Sequence, residues 1–243
     1  MKRQIVALVC CRGGSKSIKN KNIKIFCKKP LIYWIYKSIK ESKIFDRIIL
    51  STDSKKIAEI GKKLGFEIPG LRPKKLATSL SNQFDTHKYV FKKLNINDQN
   101  SIVCVVNNNP FINKDILRKS FKIFKNNKFL GIVIDQAKVQ GDYLWWKQCL
   151  SDKFSFKYIF KNQFLKSKLN RQQLKDTYVG IFNIRWSEPK YLFSYNAFKK
   201  QLLRSNNKGV ILKKIDNFDI DDLEDWYIAE TVFNRRYIKK TKI

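Results

Sequence analysis

Two stretches of the chain carry side chains that could do chemistry on a phosphate. The first is Arg12, Gly13, Gly14, Ser15 and Lys16, running on to Lys21 and Asn22, directly after an apolar run over residues 4–11. Two glycines let backbone N–H groups approach phosphate oxygens, while Arg12, Lys16 and Lys21 supply positive charge. Ser15 precedes Lys16 and no glycine stands five positions further back, so this is not a Walker A loop, and it is not G-x-G-x-x-G either. A strand ending in such a loop suits a nucleoside triphosphate; a solvated basic loop is the plainer alternative. The second stretch is Asp219, Ile220, Asp221, Asp222, Leu223, Glu224 and Asp225. In extended backbone Asp219 and Asp221 point to one face, the spacing two carboxylates need to share one Mg²⁺. Asp222 then caps the next helix, with Asp225 in the capping-box position. Solvated loop and cap acids are the alternative here, but with only 20 Asp and Glu in 243 residues such crowding is less casual.

The elements that must hold these groups follow from apolar periodicity. Residues 4–11, 47–52, Ser101–Val106 and 129–135 read as buried strands, and 177–185 and 210–215 resume the sheet. Helical spacing marks residues 30–42, 54–64, 85–94, 114–125 and Leu223–Phe233, with Pro30 opening the first and Gly65 stopping the second. Strands alternating with helices of this length mean an α/β fold, mainly a parallel sheet with helices on both faces. The alternation lapses over about 136–175, where Trp145, Trp146, Phe154, Phe156, Tyr158, Phe160 and Phe164 crowd together with period-2 stretches. A half-buried hairpin packed on another subunit fits that segment, inserted into a single domain over 1–243.

Composition narrows the class. The chain carries 51 Lys and Arg against 20 Asp and Glu, a net charge of +31, with 43% hydrophobic residues. That much apolar content builds a core and excludes a disordered chain. The lysines are spread along the whole chain among Ile, Asn and Phe, without zinc-finger spacing or an RNP-type aromatic run, so nucleic acid is a minor alternative. No apolar run approaches the ~20 residues needed to cross a bilayer. Residues 5–11 resemble a signal segment, but Arg12 to Lys16 stand where a cleavage site would be, and a buried strand in a cytoplasmic protein is expected. Five cysteines without a C-x-x-C pair read as free thiols in a reducing compartment, and the single His87 as structural or solvent-facing.

Taken in order, the motifs resemble one family. Val9-Cys10-Cys11-Arg12-Gly13-Gly14-Ser15-Lys16, continuing through Lys21-Asn22-Ile23, is similar to the signature loop of the acylneuraminate cytidylyltransferases, the CMP-sialic acid synthetases. Phe45 to Asp53 resembles that family's second strand, Leu71-Arg72-Pro73 its following loop, Arg171-Gln172-Gln173-Leu174 its R-Q-Q/D-L element, and Asp219-Ile220-Asp221 its D-I-D. The resemblance implies a Rossmann-like nucleotidyltransferase fold and a homodimer whose inserted β extension reaches the partner's active site. It implies CTP and a nine-carbon 2-keto sugar acid as substrates, with Mg²⁺ as cofactor. By the same matching Arg12, Gly13, Gly14, Ser15, Lys16, Lys21, Asn22 and Arg72 hold the nucleotide, with Arg12, Lys21 and Asp221 catalytic; Asp219 and Asp221 hold the metal; Lys147, Arg171 and Gln172 face the sugar.

Departures gather on the sugar side. Where the family has Q-P-T-S-P this chain reads Val106-Asn107-Asn108-Asn109-Pro110, and where it has N-G-A-I-Y the chain reads Tyr178-Val179-Gly180-Ile181-Phe182. The expectation is a cytoplasmic CMP-nonulosonate synthetase with an altered acceptor. The alternatives are a Kdo-type or other surface-sugar cytidylyltransferase, and a degenerate homologue without turnover.

Overall fold

Along the first strand, β1 (Gln4–Cys10), burial alternates between two cores: Ala7 and Val9 face one layer of helices, Val6 and Leu8 the other. That double burial explains why the run has no polar face. The computed structural model describes residues 3–15, 17–78, 80–128, 133–139, 148–151, 155–158, 177–204 and 207–238. After β1 come a short hairpin of β2 (Ile25–Phe26) and β3 (Lys29–Pro30), helix α1 (Leu31–Ser42), β4 (Arg47–Ser51), α2 (Lys55–Leu64), α3 (Gln83–Leu94), β5 (Ser101–Val106) and α4 (Lys114–Asn126). Then follow β6 (Val133–Val139), β7 (Gln148–Ser151), β8 (Ser155–Tyr158), β9 (Thr177–Ser187), α5 (Tyr195–Leu202), β10 (Lys208–Leu212) and α6 (Leu223–Phe233).

Six strands form one sheet in the order β10, β6, β9, β5, β1, β4. The β1–β4, β1–β5 and β6–β10 pairs are parallel, as the alternation of strands and helices requires, while β9 runs antiparallel to both β5 and β6. Residues of α1, α2 and α4 cover one face through Ile32, Ile35, Ile57 and Leu117; α3 and α5 cover the other through Phe84, Phe91 and Phe198. A third cluster joins Phe26, Leu31, Phe111, Trp226 and Phe233 and packs α6 against α1 and the loop after β5.

The helix starts are chemically marked. Ser54, Asn82, Asn113 and Ser194 each accept a backbone N–H at the head of their helices. Asp222 and Asp225 form the full capping box expected of α6. Gly65, at φ 104°, ends α2 in a left-handed conformation that a side chain would strain.

The inserted segment begins and ends at one place. Val139 of β6 lies opposite Thr177 of β9, so residues 136–139, expected in the insertion, belong to the sheet and the excursion spans 140–176. Within it β7 and β8 pair antiparallel, from Gln148 opposite Tyr158 to Ser151 opposite Ser155, which is the hairpin the alternating residues suggested. The short β2–β3 hairpin and α5 were not expected from periodicity.

Candidate active site

The carboxyl ends of β1 and β5 and the bend of β9 open on a cleft of about 240 Å³. In open α/β sheets this end of the strands is where ligands bind. Cys10, Arg12, Ser15, Lys21 and Asn22 line it from the first loop, Asn107, Asn108 and Asn109 from the loop after β5, Asn183 from β9, and Asp219 from the segment before α6. Thus the basic loop and the acidic stretch, about 200 positions apart, share one wall.

Lys21 makes that joint. Its Nζ donates to the backbone carbonyl of Ile220, the residue between the two aspartates. Ile220 is 2% exposed and packs in the third core cluster, whereas Asp219 and Asp221 are exposed. The exposed–buried–exposed alternation turns both carboxylates away from the core side that Ile220 occupies. Asp219 Oδ1 accepts from the Ile220 N–H at 3.0 Å, and the Asp221 N–H donates to Asp225 Oδ2 at 2.9 Å. The capping box therefore anchors the acid segment to the first turn of α6.

The loop is held from behind. Asn22 Nδ2 donates to the Arg12 carbonyl at 2.9 Å, and Asn108 Nδ2 donates to Asn22 Oδ1 at 2.9 Å. The Gly13 N–H donates to Asp53 Oδ1 at 2.9 Å, so this amide is engaged within the protein. A Cβ at Gly13 would come within 2.9 Å of Ser54 Cβ, which is why the close approach of the loop to the head of α2 needs glycine; at Gly14 nothing stands within 4 Å. Arg72 is 7% exposed and reaches the same Asp53 carboxylate at 3.6 Å, joining the site through Asp53. Lys16, Lys147, Arg171 and Gln172 lie outside the described residues.

Burial shifts the titration of Cys10, on the cleft, and of His87, in α3. Burial raises the Cys10 thiol against the opposing pull of Arg72 and Arg185, keeping it protonated and poorly nucleophilic. His87 is fully buried, not solvent-facing, and burial, reinforced by the Arg185 cation, pushes it down to about 3. It stays neutral at ordinary pH. The cleft thus offers cations, amides and the Asp219 carboxylate in place of an activated nucleophile, which suits a reaction catalysed by positioning and charge neutralisation. Among the described residues no three His, Cys, Asp or Glu side chains cluster as a metal cage, and Cys10, Cys11, Cys27 and Cys104 are free.

Sequence reasoning brought Arg12, Ser15, Lys21, Asn22 and Asp219 to this cleft, and the structure brings them together. It missed Asn183 and Cys10 as lining residues, and it met Asn107 to Asn109 only as departures from a pattern.

A family model described as cytidylyltransferase matches residues 6–178. The chain is 26% identical over 238 residues to a protein of Campylobacter jejuni subsp. jejuni named pseudaminic acid cytidylyltransferase, covering 94% of this chain and 95% of the relative. It is 23% identical over 240 residues to an Escherichia coli protein named N-acylneuraminate cytidylyltransferase, covering 99% of this chain and 54% of that one. Among solved structures, a CMP:2-keto-3-deoxy-manno-octonic acid synthetase complexed with CTP superposes with a TM-score of 0.69 at 11% identity, covering 96% of this chain and 99% of that one, and shares the fold.

Proposed function

The chain belongs to the cytidylyltransferase family, and from that premise we propose that it transfers CMP from CTP to a nonulosonic 2-keto sugar acid and releases pyrophosphate. The observation that carries the reading is the Lys21–Ile220 contact, which locks a phosphate-binding type of loop against a pair of exposed carboxylates at the sheet's ligand end. The hydroxyl at C2 of the acid attacks the α-phosphorus in line with the departing pyrophosphate. Arg12, Ser15, Lys21 and Asn22 hold the triphosphate, and Lys21 stands where charge accumulates in the transition state. Arg72 and Asp53 stiffen the loop beneath the nucleoside.

Asp219 and Asp221 are the residues that would hold Mg²⁺. Two carboxylates on the side opposite a buried Ile220, one of them on the cleft, fit a cation that takes one or two carboxylates together with phosphate oxygens and water. When bound, that ion offsets phosphate charge during displacement. Arg171, Lys147 and Gln172 are assigned to the sugar acid by resemblance, with Arg171 suited to a bidentate grip on its carboxylate. A homodimer, with the 140–176 excursion at its interface, and a cytoplasmic setting belong to the same proposal.

Pyrophosphate release tests the function. With CTP, Mg²⁺ and a panel of N-acetylneuraminate, pseudaminate, legionaminate and Kdo, release is expected with at least one nine-carbon acid and is expected to stop on chelation. Release from Kdo alone would move the chain to the Kdo-type alternative, and none with any acid would reject the proposal.

A further inference from the structure

The half of the cleft formed by β5 and β9 carries two polar atoms that nothing in the protein's own mechanism uses. The backbone of β9 is irregular there: its register with β6 shifts between Ile134 and Gln136, and Phe182 adopts φ 66°. A bulky side chain in the left-handed region is strained, and bulges beside active sites re-aim the residues they carry. The next residue is Asn183, 1% exposed and lining the cleft. Its Oδ1 accepts from Asn107 Nδ2 at 3.3 Å, and its Nδ2 has no hydrogen-bond partner among the described residues.

Asn108 presents the opposite polarity. The Arg12 carbonyl can only accept, so the amide of Asn22 must turn its Nδ2 toward it; Asn22 Oδ1 then accepts from Asn108 Nδ2. This chain fixes both amides and leaves Asn108 Oδ1 buried without a partner. Native proteins leave few buried polar groups unpaired, because each costs as much as a lost hydrogen bond. Here one donor and one acceptor are left, in one cleft.

We propose that Asn183 and Asn108 determine acceptor specificity by receiving a neutral group that both accepts and donates, the acylamino substituent of an amino sugar acid. Its carbonyl oxygen takes the Asn183 Nδ2 hydrogen, and its N–H donates to Asn108 Oδ1. A carboxylate or phosphate would meet a lone pair at Asn108 Oδ1 and belongs instead with Arg12 and Lys21. The edge of a cytosine ring offers the same pair of functions, and Asn22, assigned to the nucleotide, hydrogen-bonds Asn108 in this cleft, so the KM for CTP is the measurement that separates base from acceptor. The inference rests on the cytidylyl-transfer reading.

Two variants test it, with pyrophosphate release as the readout and a thermal melt for each protein. Asn183→Asp keeps the shape and replaces the donor by an acceptor, and Asn183→Leu removes both functions. The kcat/KM ratio of an acylamino acid such as pseudaminate or N-acetylneuraminate to Kdo, which bears only hydroxyls, is expected to fall about tenfold or more in both, with KM for CTP unchanged. A raised KM for CTP would assign the pair to the base. An unchanged ratio in a folded variant, or loss in proportion across all acids with a lowered melting temperature, would show a packing role; each of these overturns the inference while cytidylyl transfer stands. Wild-type protein that releases no pyrophosphate with any acid would remove the underlying reading, and this inference with it.

Discussion

At the scale of single residues, the side chains that announced chemistry in the sequence are those whose type is costly to place without a reason. Lys21 and Asp219 were legible because a cation after a glycine loop and acids in a basic chain are conspicuous, and the fold brings them to one wall. Asn183 was not legible, because strand alternation assigns faces only while the backbone stays regular, and Phe182 at φ 66° breaks it one residue earlier. The same geometry gives Lys21 a testable weight. Its ammonium is held by the Ile220 carbonyl, so Lys21→Ala removes both a phosphate cation and the tie to the acid segment. The expected result in steady-state kinetics is a kcat lowered by about 10²-fold with a raised KM for CTP, the usual scale for one transition-state donor. Unchanged kinetics across a full CTP titration would mark Lys21 as a solvated loop lysine.

At the scale of elements, legibility followed the strength of local signals. Helix α6 was read to its end residues because Asp222 and Asp225 mark its start and Phe233 its last buried turn. The β2–β3 hairpin was missed because its turn uses Cys27 at φ 46° and Lys28 at φ 68°, where glycine or asparagine would have advertised it. The direction of β9 was hidden for another reason: a buried run reads the same in either orientation. Helix α3 carries its own consequence. His87 is buried neutral with its pKa pushed down to about 3, while in the unfolded chain it titrates near ~6.5. Between those values only the unfolded chain binds this proton, so stability falls as pH drops through about 6.5 toward 3. Denaturant melts of wild type and His87→Leu are expected to differ by an amount that changes by about 1.4 kcal/mol per pH unit from about pH 6 to 4, with wild type the more acid-sensitive. Parallel stability curves for the two proteins would contradict a buried neutral imidazole.

At the scale of the whole molecule, a charge of +31 with lysines spread along the chain sits beside a sheet whose ligand end gathers both charge signs. Among the described residues no helix is long and apolar enough to cross a membrane. Between residues 140 and 176 the sequence holds Trp145, Trp146, Phe154, Phe156, Tyr158, Phe160 and Phe164, apolar residues that the proposed homodimer would bury at its interface. Sedimentation at micromolar concentration is expected to give twice the 28.8 kDa chain mass; a monomer would count against the homodimer. The central claim is that this cleft moves the cytidylyl group and not another part of CTP. The most direct test is CTP labelled at its α-phosphorus, incubated with Mg²⁺ and a nonulosonic acid. The account expects the label to appear in a CMP–sugar conjugate with one unlabelled pyrophosphate released per conjugate. Label found in CDP with phosphate set free, or in free CMP with pyrophosphate set free and no conjugate formed, would contradict it.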